Sequence, residues 1–429
     1  MTALPTNRIA ALDVFQAVLR EQRPLEDQVE LRTRSLDPRD RGFVRLVVAT
    51  TLRRLGQIDR VLERCLDTPL PRKLAPVKDI LRLGAAQLLF LDTPAHAVVD
   101  TAVEITKKGK FGPYAGMVNA VLRRLSREGK ELAAAVDAPR LNTPRWLWQD
   151  WVATYGEDTT RAMAEAHLGE APLDLTLRPG EDPTAWAERL EAVVLPTGTL
   201  RRAAGGSISA LPGFEEGAWW VQDAAAALPA RLLGDVNGLR VADLCAAPGG
   251  KTMQLAAAGA TVLAVDRSAR RLRRVSENLA RLNLSAEIID ADAVTWRPDG
   301  LVDAVLLDAP CSATGTIRRH PDVPRHKTPN DVESLVATQA ALLQSAAEMV
   351  KPGGLVVYCV CSLQAAEGPL QVAAALDIGL PFEIVPITPD EVGGLGELIA
   401  PDGALRTLPS HLAGQGGLDG FYAARLRKV

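Results

Sequence analysis

The sequence offers little from which a disulfide framework could be built. Its 429 residues include five cysteines, at 65, 245, 311, 359 and 361, an odd number without framework spacing. That excludes a stapled secreted scaffold and points to a reducing, cytoplasmic setting in which thiols stay available for chemistry. No uninterrupted apolar run approaches the roughly 18 residues of a membrane span, so no membrane association is expected. The opening MTALPTNRIAALDVFQAVLREQ has no basic segment leading into an unbroken apolar one, and no export signal is expected. Internal repeats and low-complexity tracts are absent. No apolar pattern marks an interface between copies, so a monomer is expected, and no metal is called for.

What is present is an ordinary globular composition, 47% apolar and 24% charged, long enough for two or three domains. The net charge of −3 conceals an asymmetry: residues 1–130 hold 23 Lys and Arg against 15 Asp and Glu, while the remainder holds 26 against 37. A basic segment fused to an acidic one fits nucleic-acid contact by the former, and fits equally a set of solvated arginine-rich helices. Within the basic part, Lys107 and Lys108 precede a segment ending in Arg123 and Arg124, a candidate phosphate-contacting edge.

Three parts follow from patterning. Residues 1–140 read as all helix: Ile9, Leu12, Val14, Phe15 and Val18, then Phe43, Val44, Val47, Val48 and Leu52, recur at helical spacing. The turn signals DPRDRG (37–42), DTPLP (67–71) and DTPAH (92–96) separate the helices of a bundle. Residues 141–215 are richer in Pro and Gly and read as a small α+β region, with a strand over 172–179, a helix over 182–192 and two further extended runs. Trp146, Trp148 and Trp151 at its start suit either base stacking or, more commonly, packing of a domain junction. Residues 216–429 alternate apolar strands and helices, the signature of an α/β domain with a mostly parallel, Rossmann-like sheet. Its strands end in Asp243, Asp266, Asp292, Asp308 and the Cys361–Ser362 pair. Ligands of such sheets sit beyond the carboxyl ends of the strands, so these residues converge on one site.

DLCAAPGGKT (243–252) follows a strand and opens a helix. A phosphate loop of the Walker type needs Gly where this chain has Cys245, and G-x-G-x-x-G spacing is absent. What remains suits a ligand that brings a carboxylate, rather than a pyrophosphate, to a helix N-terminus; the methionine end of S-adenosylmethionine answers that description. Asp266, 17 residues after Gly249, is placed to accept ribose hydroxyls, and Asp292 to meet the adenine amino group. DAPCSATGTIRRHPD (308–322) and YCVCS (358–362) put two cysteines at the mouths of two strands, one beside a carboxylate. Cytosine C5 is a poor nucleophile. A thiolate adding to C6 makes C5 electron-rich, an acid at N3 promotes the addition, and a second thiol or a water helps remove the C5 proton afterwards.

These three segments resemble the signature segments of the RNA cytosine-5 methyltransferases, and among them the bacterial small-subunit rRNA branch of Sun/Fmu type. VQDAAAALPA (221–230), GLDGFYAARLRK (417–428) and the helical N-terminal part, similar to a NusB-like RNA-binding domain, extend the resemblance over almost the whole chain. It implies S-adenosylmethionine as methyl donor and 16S rRNA as substrate. It implies that Cys361 attacks, Cys311 assists product release and Asp308 activates the base. Cys245, Ala246, Ala247, Pro248, Gly249, Gly250, Lys251, Asp266, Asp292 and Asp308 match the cofactor contacts. Arg318, Arg319, His320 and Pro321 fall in a loop expected to face RNA. One departure is Val360 where the family usually has Thr before the nucleophile. Other readings stay open: Cys311 as nucleophile, as in DNA cytosine methyltransferases; Cys359, which shares a strand face with Cys361; tRNA or large-subunit rRNA as substrate; and a non-catalytic RNA-binding factor.

Overall fold

The structure is a computed structural model that describes residues 6–108 and 110–429. It divides into two compact units. One is the chain up to Leu168 together with Arg319–His326; the other is Gly169–Arg318 with Lys327–Val429.

The first unit has no strand among its described residues and is built of helices. Its longer helices are Thr6–Glu21, Pro38–Arg53, Leu55–Cys65, Ala75–Phe90, Ala95–Lys108 and Ala115–Ala134. The periodic apolar residues are the ones buried: Val14, Phe15, Val18, Val44, Val47, Val48 and Leu52 fill one core, and Ile58, Leu62, Leu81 and Leu122 a second. DPRDRG is not a connector but a helix start. Asp37 caps by accepting the Asp40 N–H, and Pro38 takes the first helical position, where its missing N–H costs nothing. Helical structure also continues past residue 140, through Arg145–Tyr155 and Glu157–Ala166. The expected boundary there is therefore corrected to Leu168, because Leu147, Trp148, Trp151 and Met163 are buried. Trp148 is buried, with the Arg140 and Arg161 guanidiniums 5.2 and 5.6 Å from its ring centre, which is packing rather than an open stacking platform.

The second unit carries two sheets. The smaller has the order β2-β3-β1-β4, all antiparallel: β1 (Leu173–Leu177), β2 (Val193–Val194), β3 (Leu200–Arg202) and β4 (Trp219–Val221). With the helix Pro183–Arg189 it encloses Leu175, Trp186, Leu200 and Trp219. Because Trp219 is fully buried in that small core, the expected break at 215/216 falls inside the element rather than after it. The larger sheet contains β5 (Arg240–Leu244), β6 (Thr261–Asp266), β7 (Glu287–Asp290), β8 (Val302–Asp308), β9 (Val350–Val360), β10 (Phe382–Ile384), β11 (Leu405–Thr407) and β12 (Phe421–Lys428). Its order is β10-β12-β9-β8-β5-β6-β7, with β11 also paired to β12. Strands β5 to β9 run parallel; β10, β11 and β12 pair antiparallel. The parallel strands are apolar on both faces because helices cover both. From β5 the chain steps outward to β6 and β7, then returns to the other side of β5 as β8. That reversal opens a crevice at the carboxyl ends of β5 and β8, where a ligand belongs.

Candidate active site

The turn after β5 is shaped by its backbone. Cys245 and Gly249 both adopt positive φ, 62° and 102°. A Cβ on Gly249 would lie 3.0 Å from Val275 Cγ1, so glycine is required twice over. The helix Gly250–Ala257 starts there without a side-chain cap, leaving its first N–H groups to the crevice. Asp266, the last residue of β6, closes the turn from the side: its carboxylate accepts the Ala247 N–H at 3.2 Å and the Ser268 N–H at 3.0 Å, and pairs with Arg271 at 3.4 Å. Cys245, Asp266, Asp292 and Pro310 line a common cavity of about 80 Å³, with Arg267, Arg271 and Leu342 around them. Asp292 reaches it from the turn after β7, two residues beyond the strand end. Ala246 and Ala247 are buried in the same turn, while Pro248 is exposed. Burial pushes the Cys245 thiol up to about 12, with the surrounding carboxylates adding to the shift.

Lys251 belongs to this turn but points elsewhere. Its ammonium donates to Asp308 Oδ2 at 2.8 Å and lies 5.2 Å from the centre of the Phe421 ring. Burial alone would lower the pKa of this amine; Asp308 more than offsets that and holds it above the ordinary lysine value. Asp243, inside β5, is fully buried. One oxygen accepts the Thr252 hydroxyl at 2.5 Å, and the other has no hydrogen-bond partner among the described residues. Burial pushes this carboxyl up to about 7.

The two cysteines meet because β8 and β9 are parallel neighbours, with Asp308 opposite Cys359. Cys311 and Cys361, each just past its strand, bring their Sγ atoms to 3.5 Å, and both residues are half-buried. Cys359 is fully buried and lies 3.5 Å from Asp308 Oδ1, so it is core rather than an accessible nucleophile. The Cys311 thiol is pushed well up by its hydrogen bond to Cys361, by burial and by the neighbouring anions. Val360 is buried in β9.

Arg318 requires a correction. It was expected to face RNA, yet it is 1% exposed, pairs with Asp223 at 3.2 Å and Asp419 at 3.1 Å, and donates to the Gly416 carbonyl. A guanidinium that neutralises two buried carboxylates is structural. Arg319 and His320 lie in Arg319–His326, which belongs to the helical unit, and both are half-buried. Lys107, Lys108 and Arg123 are exposed and Arg124 half-buried on the helices Ala95–Lys108 and Ala115–Ala134; Lys107 pairs with Glu104 and Arg124 with Glu128. Sequence reasoning missed Glu367 and Ser312, whose role, with that of Ser362, is taken up below. Only their nearness to the cysteines in the sequence hinted at them.

A doubly covered parallel sheet with a glycine turn and an acid at the next strand end is the frame of a Rossmann-like methyltransferase, here joined to a helical domain. Residues 230–427 match the family described as 16S rRNA methyltransferase RsmB/F, and residues 5–127 match the NusB family. The chain is 36% identical, over 98% of its own length and 98% of the relative's, to ribosomal RNA small subunit methyltransferase B of Pseudomonas putida. Its fold is that of the solved structure of PH0851, with a TM-score of 0.78 over the whole of both chains at 22% identity. A methyltransferase homologue protein from Pyrococcus horikoshii covers 68% of this chain, and 97% of its own, with a TM-score of 0.56 and 26% identity. The chain belongs to the RsmB/F family of methyltransferases and carries the NusB-type domain at its N-terminus.

Proposed function

We propose that the chain transfers a methyl group from S-adenosylmethionine to C5 of a cytosine in 16S rRNA, with Cys361 as the attacking nucleophile. The observation that carries this reading is the pair of thiols 3.5 Å apart at the mouths of β8 and β9. The cofactor cavity lies one strand away. S-adenosylmethionine, when bound, supplies an electrophilic methyl on a sulfonium. The residues fit it: the uncapped helix start at Gly250 suits its carboxylate, Asp266 its ribose and Asp292 its adenine amino group. The cavity sets Asp266 and Asp292, with Arg267 and Arg271, around an apolar wall of Pro310 and Leu342, a lining suited to a polar ligand that carries a flat base.

Cys361 adds to C6 of the cytosine as a thiolate, forming a C–S bond and moving an electron pair toward C5. Asp308, held between Lys251 and Cys359 with about a third of its side chain exposed, engages N3 and promotes that addition. The Lys251 ammonium supplies a positive charge beside the developing thiolate. Once C5 carries the methyl, a water beside the Cys311 thiol takes the C5 proton, and the electron pair left behind restores the C5–C6 double bond. The C6–S bond then breaks and Cys361 is released. A base that reaches both groups has to leave any stack it belongs to.

The test is methyl transfer to naked small-subunit rRNA, with the modified base identified by mass spectrometry. Wild type yields 5-methylcytosine, Cys361→Ala none, and Cys311→Ala a trapped covalent RNA adduct. If Cys311→Ala forms no adduct while Cys361→Ala does, the roles are reversed. Transfer only to tRNA keeps the chemistry and overturns the substrate, and transfer to no RNA leaves a binding factor.

A further inference from the structure

Glu367 lies six residues past Cys361, just before the helix Pro369–Asp377, and is fully buried. A buried carboxylate is costly unless every lone pair is used. Here four donors converge on it. Oε1 accepts the Ser312 N–H at 2.8 Å and the Gln339 amide at 3.1 Å. Oε2 accepts the Ser312 hydroxyl at 2.5 Å and the Ser362 hydroxyl at 2.6 Å. Ser312 directly follows Cys311 and Ser362 directly follows Cys361. The two hydroxyls are themselves 3.0 Å apart, and Arg406 holds the Ser362 carbonyl at 2.7 Å. One side chain therefore holds the residue just beyond each thiol, Ser312 by its N–H and hydroxyl and Ser362 by its hydroxyl.

We infer that Glu367 is the positioning residue of the cysteine pair: it fixes the spacing of Cys311 and Cys361, and its charge keeps the thiolate on Cys361 rather than on Cys311. Two thiols this close oppose each other's ionisation, and once one gives up its proton the other can donate to it. Glu367 is among the charges that oppose ionisation of Cys311, whereas Cys361 is among the groups that interact with the Lys251 ammonium. The geometry and the two opposite charges thus make equivalent residue types chemically unequal.

The role of the pair rests on the reading above, but its division of labour is testable without RNA or cofactor. Glu367→Gln keeps the size of the side chain and removes the charge; the serine hydroxyls can turn to accept from the new amide. Partial alkylation of the full-length protein with iodoacetamide, followed by peptide mapping, reads which cysteine reacts. Wild type is expected to label at Cys361. In Glu367→Gln the ratio of Cys311 to Cys361 labelling is expected to rise about tenfold. In the methyl-transfer assay kcat is expected to fall by about 10²-fold while KM for S-adenosylmethionine stays the same, the signature of misplaced reacting groups. An unchanged labelling ratio overturns the inference whatever happens to kcat. Should Glu367→Gln fail to fold by circular dichroism, Ser362→Ala removes a single tether, and an unchanged kcat there overturns it equally. Absence of methyl transfer by the wild type counts against the proposed function and leaves the labelling result standing.

Discussion

Asp243 shows how a single buried group leaves a mark on the whole stability curve. Its carboxyl is pushed from the ordinary range up to about 7, chiefly by burial. In the unfolded chain it ionises near the model-peptide value of about 4. Between those two values the folded state holds the extra proton, so stability falls as pH rises through the window and levels off above it. Replacing Asp243 by Asn, which keeps the Thr252 contact, is expected to flatten this dependence. Denaturant midpoints at pH 5 and pH 8 check it: the drop between them is smaller in the variant than in wild type. An equal drop would mean that Asp243 is not the group responsible. At the same scale the cysteines separate by environment alone. Cys359 and Cys361 share a strand face, and exposure distinguishes them.

Among the elements, the helix Leu25–Arg32 is unusual in how it starts. Pro24 supplies no side-chain cap. The missing acceptor comes from Asp322, 297 residues away in the chain, whose carboxylate takes the Leu25 N–H at 3.0 Å. An acid at that position also meets the positive end of the helix. Arg325 of the same short segment donates to the Asn142 carbonyl, and the His326 ring contacts the Val18 carbonyl at 2.9 Å. Replacing Asp322 by Ala is expected to destabilise the helical unit by about 1 kcal/mol. Hydrogen exchange should show the loss as faster exchange at the amides of residues 25–29. Unchanged protection there would show that the cap contributes nothing. Asp322 directly follows Arg318–Pro321, the loop that the resemblance turns toward RNA, and nothing in its local sequence says that it ends up at a helix start.

Taken whole, the chain concentrates its excess positive charge in the helical unit, the part that matches the NusB family. If that unit meets the rRNA backbone, affinity is expected to fall steeply with salt. Each phosphate contact adds about −0.7 to −0.9 to the slope of log affinity against log salt. Replacing Lys107, Lys108, Arg123 and Arg124 together by Ala is expected to make that slope shallower by about 2 to 4, without changing affinity for S-adenosylmethionine. Filter binding across a salt series measures it. A slope equal to wild type would remove these residues from the RNA contact. Arg318, by contrast, has no charge to spare for RNA, since Asp223 and Asp419 use it.

The sequence by itself determined what local chemistry can encode. The period of apolar residues defined the helical part and the α/β part. Strand-end acids, the Gly249–Gly250 turn and the spacing of Cys311 and Cys361 marked the site, because turns, caps and strand ends draw on near neighbours in the chain. Only the tertiary structure decided which side chains are paired from afar. It placed residues 319–326 in the helical unit, carried that unit to Leu168, and drew β4 into the small sheet. It buried Arg318, turned Lys251 toward Asp308, and brought Glu367 under both cysteine turns. The first of these outcomes bury apolar surface such as Trp151 and Trp219, and the last three are long-range choices between burying a charge with a partner and leaving it in water. A linear pattern does not record which partners folding will supply.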